Sequence, residues 1–206
     1  NPTPEAARAN IAEIHVAGAS FLKIYEMVTP EVFAAIVKEA GARNLPIDGH
    51  VPLSMRARDV APQVQSLEHL RNYEMDCVSD PDLWLATRQA ELANVANEPG
   101  NVLRSKLHKL QRLTAITNED PLVCAETTKA LKATITVPTL RMNSMDLYVP
   151  FDRDDFDRAM DLIPASVSEE WRNARDALAA SEEAVDATFA EWSLRRTGEL
   201  HLAGAP

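Results

Sequence analysis

Basic residues are in short supply here. The 21 Lys and Arg are outnumbered by 31 Asp and Glu, giving a net charge of −10. A nucleic-acid or anionic-membrane surface needs a basic face, so neither partner is expected. Cysteine is scarcer still. Cys77 and Cys124 are too few for a disulfide scaffold and lack the C-x-x-C spacing of a zinc ribbon or a thioredoxin motif. No apolar run approaches the ~18 residues of a membrane span, and no signal peptide is visible. A glycine-rich phosphate loop, a G-x-S-x-G elbow and a Cys/His nucleophile signature are also missing. The chain opens Asn1-Pro2-Thr3 without a Met, so its natural start is expected upstream. The acidic run from Phe151 to Asp157 fails as an EF-hand loop. Asp157 stands where that loop needs Gly, and Ile163 where it needs Glu. A solvated acidic loop is expected over 143–165.

What is present suffices for one core. The chain has 206 residues, 46% apolar and 25% charged, which excludes wholesale disorder and is short for two full domains. A repeat organises its first part. Thr3-Pro4-Glu5 and Thr29-Pro30-Glu31 each offer a Thr N-cap, a Pro at the first helical position and an acid in the first turn. Each predicted helix stops near a glycine, Gly18 or Gly41. An apolar strand follows each time, SFLKIYE at 20–26 and LPIDGHV at 45–51. Helix and strand in strict alternation predict parallel α/β architecture.

The third unit is shorter. Ser54 is the expected cap of MRARDVAPQV, Pro62 should end that helix early, and SLEHL at 66–70 reads as a strand. The rhythm then breaks. Residues 76–133 carry three helical patterns, at 81–97, 101–114 and 119–132, and read as a helical insertion. It is a candidate lid or subunit contact, which leaves an oligomer open. ATITVPTL at 133–140 is β-branched and predicts a fourth strand. A long helical stretch covers 168–202, with the capping box Ser166-x-x-Glu169 at its start. Ala203-Gly204-Ala205-Pro206 mirrors Ala17-Gly18-Ala19-Ser20, a helix-to-strand junction. A complete (β/α)8 barrel takes roughly 250 residues. The expectation is therefore a partial TIM barrel in one domain, 1–206, with the insertion at 76–133.

Alternation along the strands gives a candidate site. Phe21, Lys23 and Tyr25 share one face and Leu22 and Ile24 the other; the aliphatic pair suits the helix-packed outside, which turns Lys23 inward. Asp48 shares a face with His50. His69 shares one with Leu67. Three consecutive strands thus end in Lys23, His50 and His69, and in a β/α barrel catalytic groups come from strand C-termini. Imidazoles from adjacent strands can meet one metal ion. His15, His108 and His201 fall on helices, where surface or core roles are the default. Trp84, Trp171 and Trp192 read as helix packing.

GASFLKIYE, GHVP, SLEHL and VPTL, in that order, resemble the amidohydrolase superfamily of metal-dependent hydrolases, nearest its imidazolonepropionase-like and prolidase-like members. The resemblance implies strands four to seven of the barrel, and hydrolysis of a carbon–nitrogen bond (amide, cyclic amide or dipeptide) in a small-molecule substrate by a metal-bound hydroxide. It implies that Lys23 is carboxylated and bridges two divalent ions, with zinc expected, and that His50 and His69 ligate one of them. Tyr25 and Thr139 would lie at the mouth and contact substrate. The sequence also departs from the pattern. No H-x-H motif is present, Ser20 stands where an acid is expected, and the aspartate of the last strand is not found within the chain. The fragment would then hold one side of the metal centre and be inactive alone. Two alternatives stay open: a Schiff-base enzyme using Lys23, with His50 and His69 as acid/base groups, and a non-catalytic barrel segment.

Overall fold

The computed structural model describes residues 3–94, 98–143, 155–181 and 186–206. Residues 151–154 of the acidic run lie outside them. Helix α1 (Pro4–Val16) leads to β1 (Leu22–Ile24), and α2 (Pro30–Ala42) to β2 (Ile47–Gly49). Both helices start as the Thr-Pro-Glu repeat dictates. Thr3 Oγ1 accepts from the Ala6 N–H at 3.2 Å and Thr29 Oγ1 from that of Val32 at 3.4 Å. The same device recurs at Asp80-Pro81 and Asp120-Pro121, where the Asp side chains cap α4 (Pro81–Ala93) and α6 (Pro121–Leu131).

The helix stops hold one correction. After α1, Gly18 takes a left-handed φ of 91°, and the Ala19 N–H reaches back to Ile14 O at 3.0 Å. After α2 the left-handed residue is Asn44, φ 54°, with the Leu45 N–H on Ala40 O; Gly41 lies inside the helix. Asn tolerates this conformation because its short polar side chain bonds locally.

Next come a single helical turn, α3 (Ala57–Val60), and then β3 (Ser66–Glu68). Ser54 does not cap α3; its hydroxyl donates to Val28 O at 3.3 Å, and Arg56 takes the cap position without a side-chain bond. Between β3 and β4 (Ile135–Val137) run α4, α5 (Gly100–Thr117) and α6. Helix α5 buries Leu103, Leu107, Gln111 and Ala115, an i, i+4 stripe. Cys77 and Cys124 form a disulfide that ties the chain after β3 to α6. Short helices α7 (Leu140–Asn143) and α8 (Phe156–Met160) precede α9 (Ala165–Ala179) and α10 (Thr188–Leu202). Helix α9 begins before Ser166, so that residue sits inside it rather than at its cap.

The four strands form one parallel sheet in chain order. Leu22, Ile24, Ile47 and Leu67 turn toward the helices and join Phe33, Ile36, Val60, Leu131 and Trp192 in the main core. The opposite face carries Lys23, Asp48, Ser66 and Ile135 in one register row. It is open: Phe21, Tyr25, Ile135 and Val137 are all exposed. Pro206 O accepts from the Thr136 N–H at 3.5 Å, at the free edge of β4.

Candidate metal centre

The C-terminal ends of the strands converge on one cluster. His50 follows β2 directly, and its position is set by the residue before it. Gly49 has φ 136°, and a Cβ there would lie 2.2 Å from Ile24 O. Only glycine lets β1 and β2 approach this closely. The His50 N–H then donates to that same Ile24 O at 3.1 Å.

His69 reaches the site by another route than strand alternation. Leu67 is fully buried among the helices, so a residue sharing its face would point away. The strand instead ends at Glu68, and His69 takes φ 66°, followed by Leu70 at 54° and Asn72 at 67°. That left-handed turn brings the imidazole back to the open side. The His50 and His69 ring centroids are 4.9 Å apart, edge to face. The residue facing inward from β3 is Glu68, which sequence reasoning missed; its alternation with Ser66 was the available signal.

His50, Glu68 and His69 each offer a ligand atom within 4.8 Å of the others. Glu68 Oε2 lies 3.4 Å from His69 Nε2 and 3.9 Å from His50 Nε2. His50 is 3% exposed, and neither of its ring nitrogens has a hydrogen-bond partner among the described residues. Burial pushes its pKa down to about 4; Glu26 acts in the opposite direction, and Arg71, His69 and Lys23 add to the fall. Burial, then Arg71, lower that of His69. Both rings are therefore neutral near pH 7, so their contacts with Glu68 are not ion pairs. Neutral imidazole is the form that ligates metal.

Thr139 orients His69. Its hydroxyl lies 2.7 Å from His69 Nδ1 and 3.4 Å from Val137 O. When the hydroxyl donates to Val137 O, its oxygen accepts from His69 Nδ1–H, which leaves Nε2 unprotonated toward Glu68. Lys23 Nζ donates to Glu68 Oε2. Burial alone would raise the Glu68 carboxyl; the hydrogen bond and charge of Lys23 more than offset this and hold it below the usual range. Asp48, beside Lys23 in the register, instead accepts from Ser66 Oγ at 2.6 Å. Tyr25 lies at the rim, its ring centroid 5.0 Å from that of His50.

Behind the cluster lies a buried charge network. Glu26 is 1% exposed. It accepts from His108 Nε2 at 3.1 Å, and Arg71 and Arg104 approach within 3.6 and 3.5 Å. Arg112 donates to His108 Nδ1, so the His108 proton must sit on Nε2. Burial would raise the Glu26 carboxyl; the His108 bond and the surrounding charges bring it below normal. His108 comes from α5, 82 residues along the chain from Glu26, a pairing that local sequence patterns do not register.

A divalent ion fits this donor set. Two neutral imidazoles and a carboxylate, from adjacent strand ends, are a common catalytic zinc complement with positions left open. The unpartnered nitrogens of the buried His50 are lone-pair and donor capacity that a bound ion would satisfy.

No known family model matches this sequence, and no curated protein matches it. Among solved structures the chain is similar to bottromycin amidohydrolase, with a TM-score of 0.51 and 20% identity, over 96% of this chain and 36% of that one. The likeness is one of fold, and the chain spans little more than a third of that structure.

Proposed function

We propose that this chain forms one side of the active site of a metal-dependent hydrolase that cleaves a carbon–nitrogen bond in a small-molecule amide, cyclic amide or dipeptide. The observation that carries this is His50, buried with both ring nitrogens unpartnered, beside His69 and Glu68 at successive strand ends. The fold likeness to a structure named as an amidohydrolase supports the same class.

In this reading the sheet is strands four to seven of a β/α barrel. The exposed inner face agrees with that, since parallel sheets are normally covered on both sides. His50 Nε2, His69 Nε2 and Glu68 hold a divalent ion, with zinc the first choice. When bound, the ion polarises the scissile carbonyl and acidifies a water. Thr139 keeps the His69 tautomer fit for ligation. Lys23 balances the Glu68 charge, or, once carboxylated, shares a second ion. Tyr25 borders the substrate at the rim. The sequence contains no H-x-H, so a two-ion site needs ligands beyond the ones identified in these 206 residues. The Schiff-base alternative, like a carbamate, needs the Lys23 amine released from Glu68; it differs in needing no metal and in being trapped by borohydride with a carbonyl substrate.

The test is amide hydrolysis by the protein that contains this chain. A dipeptide and cyclic-amide panel should be cleaved, the activity should vanish on chelation and return with zinc, and His50→Ala should abolish it. Turnover indifferent to chelator and to His50→Ala would overturn the assignment.

A further inference from the structure

His50 follows Gly49 at the end of β2, whereas His69 opens a left-handed turn after β3, yet the two rings sit side by side. One buried side chain joins these loops. Asn72 Nδ2 donates to Val51 O at 2.8 Å. Val51 directly follows His50, and Asn72 lies in the left-handed turn that begins at His69. Asn72 is in turn gripped from the helical excursion. Its Oδ1 accepts from an Arg88 guanidinium nitrogen at 2.7 Å, and Arg88 Nε donates to Gln111 Oε1 at 2.7 Å. Arg88 on α4 is 1% exposed, Gln111 on α5 is 5% and Asn72 is 1%. A guanidinium is expensive to bury, and this one bonds to two neutral amides rather than to a carboxylate. Nearby Glu74, also buried, balances its charge only at a distance. An apolar side chain would fill the space at less cost; what the guanidinium adds is its pair of bonds, from one terminal nitrogen to Asn72 and from Nε to Gln111, while Nη2 has no partner among the described residues.

A second link runs in parallel: His108 of α5 holds Glu26, which follows Tyr25. Helices α4 and α5 thus reach inward to the loops after β1, β2 and β3 together.

We infer that Arg88 and Asn72 are positioning residues of the candidate metal centre, and that α4 and α5 brace that centre rather than merely cover it. This rests on the metal-site reading above. The brace sets the separation of His50 and His69, as hydrogen-bonded partners behind metal ligands commonly do, at ten- to a hundredfold in affinity.

The experiment is a cobalt(II) titration of the protein that contains this chain, followed by visible absorption, with urea unfolding alongside. Asn72→Asp keeps the acceptor for Arg88 and removes the donor to Val51 O. Arg88→Met removes the fork, and Arg88→Lys restores one donor. Asn72→Asp and Arg88→Met should weaken cobalt binding by about tenfold or more and shift its visible bands, with part of both recovered in Arg88→Lys. Variants that lose stability but bind cobalt with wild-type affinity and spectrum would overturn the brace, since a purely structural role moves only the urea midpoint. If Asn72→Asp and Arg88→Met fail to fold, Arg88→Lys decides alone: wild-type affinity and spectrum overturn the brace, and weaker binding with shifted bands supports it. A wild-type protein containing this chain that binds no cobalt at all would instead remove the metal-site reading, and the brace with it.

Discussion

Gly49 and the Ile24 carbonyl are in such close approach that no side chain fits between them: a Cβ on residue 49 would sit 2.2 Å from the oxygen. The glycine of the GHV run is thus needed by the fold before the histidine is needed by chemistry. Gly49→Ala must part β1 from β2 and also force Ala to a φ of 136°. Strain and overpacking each contribute about 1–3 kcal/mol. Urea denaturation should show a loss of this order, and a wild-type midpoint would contradict the close approach.

Glu119 joins α10 to the start of α6. It accepts from Trp192 Nε1 at 2.8 Å, from Arg195 at 2.9 Å and from Arg196 at 3.0 Å. Burial would raise this carboxyl, but the Arg195 bond, the Arg196 charge and the Trp192 bond hold it below the usual value. A carboxyl depressed in the folded state stabilises above its unfolded pKa, and that contribution is lost as pH falls through the folded value. Glu119→Gln should therefore lower the urea midpoint near neutrality and make little difference at a pH well below the carboxylate range. An equal loss at both pH values would contradict the electrostatic role.

The Cys77–Cys124 disulfide closes a loop with a sequence separation of 47. Loop-closure entropy gives it up to about 4 kcal/mol. Thiol labelling of the unfolded, unreduced chain should find no free cysteine, and Cys124→Ser should lower the urea midpoint. Full labelling without reductant would contradict the bridge.

Much of the architecture could be read from residue order. The Thr-Pro-Glu repeats place α1 and α2, and alternation in SFLKIYE places Leu22 and Ile24 in the core with Lys23 opposite. What eluded the sequence depends on local handedness or long-range pairing. Alternation put His69 beside Leu67, because a left-handed turn at a non-glycine residue leaves no periodic trace. The same error hid Glu68. Asn44 replaced Gly41 as the helix stop because either residue can enter that conformation. His108 looked like an ordinary helical residue, since its partner Glu26 lies on a distant strand end.

Lys23 offers a separate test of the two-ion reading. Its Nζ donates to Glu68 Oε2. In the metal-loaded protein that contains this chain, isotope-labelled bicarbonate should give a carbamate carbon signal by NMR that Lys23→Met lacks. The signal should fade on chelation, because two cations stabilise the carbamate. No signal at saturating metal would leave Lys23 as a counterion only.

The most direct measurement is anomalous X-ray scattering from crystals of the protein grown with zinc. A zinc peak should lie within about 2.0–2.1 Å of His50 and His69 ring nitrogens, with an oxygen of Glu68 or of carboxylated Lys23 completing that side of the ion. Crystals saturated with zinc that show no peak between the two imidazoles, with Lys23 still on Glu68 and His50 nitrogens still bare, would contradict the metal centre.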